Sequence, residues 1–105
     1  MREMDKSLAT LLDTLKGYQP HKVILFGSAA RGEADAQSDL DVIVIKDTQD
    51  SFIERLEVMA KLCPPGVHAD ILVYTPEEIR AMVEEENPFI IQALREGKLL
   101  YEAKP

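Results

Sequence analysis

A small mixed β-sheet flanked by helices, an α/β fold, is what this chain predicts. Three observations predict it. Short apolar runs rich in Val and Ile are bounded by turn residues, as buried strands are. Segments with helical apolar spacing carry recognisable start and stop signals. The two kinds interleave over 105 residues with no repeat, low-complexity stretch or linker, so residues 1–105 read as one domain.

Met4, Leu8, Leu11, Leu12 and Leu15 recur at helical spacing, and Gly17 follows, which predicts a helix over 3–16. Lys22 to Phe26, between Pro20 and Gly27, predicts a buried strand. Leu40 to Ile45 predicts a second, with a short helical turn between them. Ser51 and Glu54 have capping-box spacing. They open a helix carrying Phe52, Ile53, Leu56, Met59, Ala60 and Cys63, which Pro64, Pro65 and Gly66 terminate. His68 to Tyr74 predicts a third strand. Thr75, Pro76, Glu77 and Glu78 supply a cap, a first-turn proline and acid where a helix starts. Asn87-Pro88 starts a last helix that ends at Gly97, and Lys98 to Tyr101 predicts a small edge strand.

Composition bounds the function. Apolar residues make up 46% and charged residues 30%, ordinary for a globular protein. No apolar run is long enough to span a membrane, and the N-terminus does not read as a signal peptide. Cys63 is the single cysteine, so no internal disulfide forms, and its place at a helix end reads as a packed thiol. A cytoplasmic location fits these features. The net charge of −7 speaks against direct nucleic-acid binding, which needs a basic footprint. It also repels free nucleoside triphosphates unless cations stand between protein and phosphate.

The stretch Leu25 to Ile45, LFGSAARGEADAQSDLDVIVI, carries the chemistry. Gly27 lets the chain turn sharply after a strand and lets a ligand approach the backbone. Ser28 offers a cap for the next helical turn and, with nearby N–H groups, a phosphate cradle. The chain lacks the lysine of a P-loop and the G-x-G-x-x-G of a dinucleotide fold. Asp39 and Asp41 stand two apart at the mouth of a strand; if both lie on the strand entrance, their carboxylates converge and repel. A hard divalent cation relieves that repulsion. A solvated acidic turn is the structural alternative. Phosphatases that use the first Asp of Asp-x-Asp as nucleophile place the motif after a strand, whereas here the strand follows it. Asp70 interrupts the third strand. It either faces water at an edge or, if that strand adjoins the second, joins the first two aspartates. Three such carboxylates suit two Mg²⁺ ions and an in-line phosphoryl-type displacement. His21 and His68 have no partner histidine at ligand spacing and read as structural or surface residues.

Gly-Ser, ten intervening residues and Asp-x-Asp, with Ala-Arg-Gly and Ser-Asp inside, resemble the signature of the DNA polymerase β-like nucleotidyltransferase superfamily, in particular its minimal nucleotidyltransferase branch. The resemblance covers residues 20–75, and Asp70 sits where that family has its third carboxylate. It implies the polymerase β-like fold and Mg²⁺-dependent transfer of a nucleoside monophosphate from a triphosphate to an acceptor hydroxyl. Gly27 and Ser28 would hold the β- and γ-phosphates. Asp39, Asp41 and Asp70 would bind the metals, and Asp70 would also help deprotonate the acceptor. Arg31 would either neutralise phosphate or bridge to the loop acids Glu33 and Asp35, while Ser38 would cap a turn. The resemblance further implies the antitoxin half of a toxin–antitoxin pair, placing AMP from ATP on a tyrosine of a HEPN-domain partner. Two alternatives stay open on the residues alone: a catalytically silent module that neutralises a partner by contact, and an aminoglycoside-type transferase completed by dimerisation. Phe89, Ile90, Ile91 and Leu94 cover more than one helical stripe, which suits either core packing or the docking of a partner or second copy.

Overall fold

The structure, a computed structural model, describes residues 3–33 and 39–104. The expected loop acid Asp35, the expected turn cap Ser38 and the side chain of Met4 lie outside the described residues. The elements run α1 (Glu3–Gly17), β1 (Lys22–Phe26), α2 (Gly27–Ala30), β2 (Leu40–Ile45), α3 (Phe52–Leu62), β3 (Ala69–Tyr74), α4 (Pro76–Glu84), α5 (Pro88–Glu96) and β4 (Lys98–Glu102). Among the described residues, no helix is long and apolar enough to cross a membrane.

The four strands form one mixed sheet in the order β3-β2-β1-β4. β1 is antiparallel to both β2 and β4, and β2 is parallel to β3. A parallel pair needs a crossover, and α3 supplies it. Both sheet faces are covered. Val23, Leu25, Val42, Val44, Ile71 and Val73 pack with Leu11, Leu15 and Met59 on one side. Ile24, Ile43 and Ile45 pack with Ile90 and Ala93 on the other, and Ile79 and Met82 of α4 close that side. Double coverage explains why β1 and β2 read as continuous apolar runs rather than alternating ones.

Local signals set the element ends. Ser51 Oγ accepts from Glu54 N–H and Glu54 returns a bond to the Ser51 N–H, so the expected capping box forms. Thr75 and Glu78 form a second box at α4. Asn87 Oδ1 accepts from the N–H groups of Phe89 and Ile90 at α5. One cap differs from expectation. Ser28 lies inside α2, and Phe26 occupies the cap position without a side-chain bond, because the helical turn begins directly at Gly27. β3 starts at Ala69, one residue later than expected, although the His68 carbonyl still accepts from Leu40 N–H. Cys63 behaves as a packed helix-end thiol: its Sγ donates to the Val67 carbonyl at 3.3 Å, and burial pushes its pKa up. On α5 the last helix splits its apolar residues: Ile90 is fully buried, Ile91 is half-buried, and Phe89 and Leu94 remain exposed.

Candidate functional site

β1 delivers the first part of the site. Its last residue, Phe26, lies opposite Asp41 in the antiparallel register. The next residue, Gly27, turns the chain out of the sheet with φ +72°, a conformation that favours glycine. A Cβ at Gly27 would overlap Oδ2 of Asp41. The glycine therefore serves two geometric needs at once: a sharp turn and room for a carboxylate beside the backbone. The short α2 helix that follows starts at Gly27 and carries Ser28 as its second residue.

β2 and β3 deliver the rest. Asp41 and Asp70 are directly opposite in the parallel register, so both side chains lie on the same face of the sheet. It is the face of Ile43 and Ile24, under α4 and α5. Asp39 immediately precedes β2. Burial raises the pKa of Asp41 above its ordinary value of 3.8; the charges of Asp70 and Asp39 raise it further, and Arg31 pulls it back. Arg31 is exposed and ion-paired, through Nε to Glu33 at 3.0 Å and through Nη1 to Glu96 at 3.5 Å. Its bridge to the loop acids is present at Glu33, and Glu96 is a partner the sequence did not suggest. Among the described residues, no three His, Cys, Asp or Glu side chains are gathered as a metal site. Asp39 and Asp70 are exposed, and water solvates mutually repelling carboxylates better apart than together.

Comparison with known proteins identifies the family. The family model for "Polymerase beta, Nucleotidyltransferase" matches residues 9–105. The chain belongs to this nucleotidyltransferase family. A relative in Methanocaldococcus jannaschii, named "Putative protein adenylyltransferase MJ0141", is 32% identical over 74 residues, covering 70% of each chain. A solved structure described as a minimal nucleotidyltransferase superposes with a TM-score of 0.59 at 25% identity, covering 92% of this chain and 95% of that one. A toxin–antitoxin structure with AMP-PNP shares the fold, with a TM-score of 0.57 at 22% identity, covering 98% of this chain and 76% of that one.

The nucleotidyltransferase core has one further feature at its glycine turn. A pocket of about 160 Å³ opens there, lined by Phe26, Gly27, Arg31, Phe89, Gln92 and Glu96 among others. Phe26 and Phe89 meet edge to face, with centroids 5.5 Å apart. Phe89, Gln92 and Glu96 recur at helical spacing, so a helix started at Asn87 puts them on one side. That spacing was the signal available in the sequence. What it lacked was the packing of α5 beside α2, which turns that side towards Gly27. The histidines remain outside this arrangement: His21 and His68 are exposed, and each uses its backbone to join strands.

Proposed function

We propose that the chain transfers AMP from ATP to a hydroxyl group of a partner protein and releases pyrophosphate. The observation that carries this reading is the register match of Asp41 and Asp70 beside Gly27, in a chain of the nucleotidyltransferase family. The named adenylyltransferase relative supports the AMP and the protein acceptor. The similar fold of a toxin–antitoxin protein with AMP-PNP agrees with a toxin as the partner. By family resemblance that toxin is a HEPN-domain protein, its acceptor a tyrosine, and this chain its antitoxin.

Gly27 and Ser28 would take the β- and γ-phosphates, since the glycine leaves the backbone open to approach. The three carboxylates fit Mg²⁺ by donor chemistry, because it takes hard oxygen ligands and shares them with phosphate. Mg²⁺ held by Asp39, Asp41 and Asp70 would neutralise charge that phosphates and carboxylates otherwise set against each other. In the transfer itself, the acceptor oxygen bonds to the α-phosphorus. The bond from that phosphorus to the bridging oxygen breaks, and pyrophosphate leaves with the electron pair. The hydroxyl proton would pass to Asp70, whose carboxylate is exposed on the edge strand β3.

Co-expression with the product of the adjacent reading frame, addition of ATP and Mg²⁺, and intact-mass measurement of both proteins test this. The partner should gain one or more AMP masses, and Asp70→Asn should prevent the gain. A partner that is neutralised with its mass unchanged and ATP unconsumed would assign the chain to silencing by contact instead. Labelling of a small hydroxyl compound in place of protein would assign it to the antibiotic-modifying class.

A further inference from the structure

The outer edge of β3 runs beside the Asp41 and Asp70 carboxylates. β3 ends the sheet, with β2 as its sheet neighbour. Leu40 N–H donates to the His68 carbonyl and Lys46 N–H to the Tyr74 carbonyl. Backbone groups alternate sides along a strand, so the even-numbered residues of β3 face β2 and the odd-numbered ones face outward. The Arg55 guanidinium confirms the alternation: its Nη1 donates to the outward carbonyl of Val73 at 3.2 Å and closes that end of the edge. The outward N–H and C=O groups of Ala69 and Ile71 lie at the other end. Against that end opens a pocket of about 180 Å³ lined by Leu56, Ala60, Cys63, Ala69, Asp70 and Ile71 among others. Leu56 is 37% exposed and Ile53, a turn earlier on α3, is 63% exposed, which continues the apolar surface along the helix.

We propose that this edge binds an extended segment of the partner protein as an added strand, with a hydroxyl residue opposite Asp70 and apolar residues on either side of it. The added strand would bond to Ala69 and Ile71. In antiparallel pairing, the residue opposite Asp70 forms a non-hydrogen-bonded pair, the class in which side chains stand closest. It lies on the Asp41 face, beside the carboxylates. Its two neighbours point to the opposite face, where the pocket is apolar. Charge selects the flanks of the segment. Asp39 and Asp70 are exposed here, as is Glu57 on α3, and the chain carries a net charge of −7, so Lys or Arg flanks complement it. A second copy of this chain is disfavoured at the same edge, because twofold pairing of β3 would set one Asp70 close to the other. The inference rests on the transfer reading for its acceptor chemistry, while the docking geometry stands on the sheet edge itself.

The probe is a capped peptide, arginine–valine–tyrosine–valine–arginine, with a control in which proline replaces both valines. Amide resonances of Ala69 and Ile71 are expected to shift and to exchange more slowly with the probe, and not with the control. Ala69→Pro removes an outward N–H while leaving the bonds to β2, and edge strands tolerate proline there. Ala60→Arg, at an exposed position, fills the pocket and repels the basic flanks. Each is expected to weaken probe binding at least about tenfold, the scale of one hydrogen bond. Far-ultraviolet circular dichroism checks that each variant folds, and either folded variant suffices. No binding by the parent, binding with the two amides unchanged, or full affinity in a folded variant would overturn the proposal. So would a dimer in sedimentation that Ala69→Pro breaks, since the edge would then belong to a second copy. Binding at the two amides with no AMP appearing on the tyrosine would uphold the docking edge and count against the transfer reading.

Discussion

At the start of β2, the Asp41 carboxyl is held above its ordinary pKa by burial and then by the charges of Asp70 and Asp39. A carboxyl raised in this way costs the fold stability above its unfolded pKa, and the cost fades as pH falls through the raised value towards 3.8. Asp41→Asn should therefore melt at or slightly above the parent at pH 7 in EDTA, by less than about 1 kcal/mol for a partly exposed group. The parent should gain on the variant as the pH approaches 4. Nucleotidyl transfer should fall at least about a hundredfold, the scale for losing a group aimed at reacting charge. Melts at two pH values beside a labelled-ATP assay check this; a variant that melts much lower yet transfers normally would remove Asp41 from the chemistry. Gly27 and Gly32 make a second test, since their φ angles are +72° and +73° but, of the two and among the described residues, only Gly27 has an atom within 4 Å of a Cβ. Gly32→Ala should lose about 1–2 kcal/mol for the left-handed backbone alone. Gly27→Ala should lose more in urea unfolding, and should lose transfer as Asp41 is displaced. The turn at Gly27 was legible because its chemistry is local, and the meeting of Asp41 with Asp70 was legible only on the condition that β3 adjoins β2. Arg55 was not. A cation on a helix reads as solvated, yet Arg55 is 5% exposed, and the groups that hold it come from Asp50, Val73 and Glu78.

Arg55 ties three elements together. Its Nη1 bonds Glu78 at 2.6 Å, while Glu78 also accepts from Thr75 N–H at 2.8 Å, so the α4 cap is anchored to α3 and to the edge of β3. Burial pushes the Glu78 carboxyl up, but the bonds from Arg55 and Thr75 and the Arg55 charge outweigh it and bring it below its ordinary 4.5. A lowered carboxyl stabilises the fold above its unfolded pKa, and that stability is lost as pH falls through the folded value. Urea midpoints should therefore drop as pH falls below about 4.5 in the parent, and less steeply in Glu78→Gln. A Glu78→Gln profile as steep as the parent's would assign the acid loss to other carboxylates. Thr75→Ala should cost about 1–2 kcal/mol, at the upper end for a cap because Thr75 is buried. Ser51→Ala, at an exposed cap, should cost about 1 kcal/mol. Both capping boxes were readable three residues at a time. The strand order was not, because pairing β4 with β1 depends on contacts between the two ends of the sheet's sequence.

The acidic whole molecule sets the terms on which a nucleotide arrives. With a net charge of −7, the protein should repel free ATP, and under the proposed transfer Mg²⁺ would partly neutralise the phosphates before they meet Asp39, Asp41 and Asp70. Calorimetry should find MgATP bound at least about tenfold more tightly than ATP in EDTA, and equal affinities would remove the metal from the site. Mixed α/β class and element order were legible from patterning, as was the side of the sheet on which strand residues two apart would meet. The juxtaposition of β2 and β3 stayed conditional, since a sequence shows which residues alternate but not which strands adjoin. The late arrival of β4 bears on synthesis. Lys22 pairs with Glu102, so β1 lacks one neighbour until the ribosome has added the last strand. At roughly 5–20 residues per second, that interval lasts roughly 4–16 s. Through it, the β1 edge that β4 will cover can capture another nascent chain. Ribosome-bound chains halted before Lys98 should accordingly be cut readily by protease and aggregate on release, while chains extended through β4 with a linker should resist both.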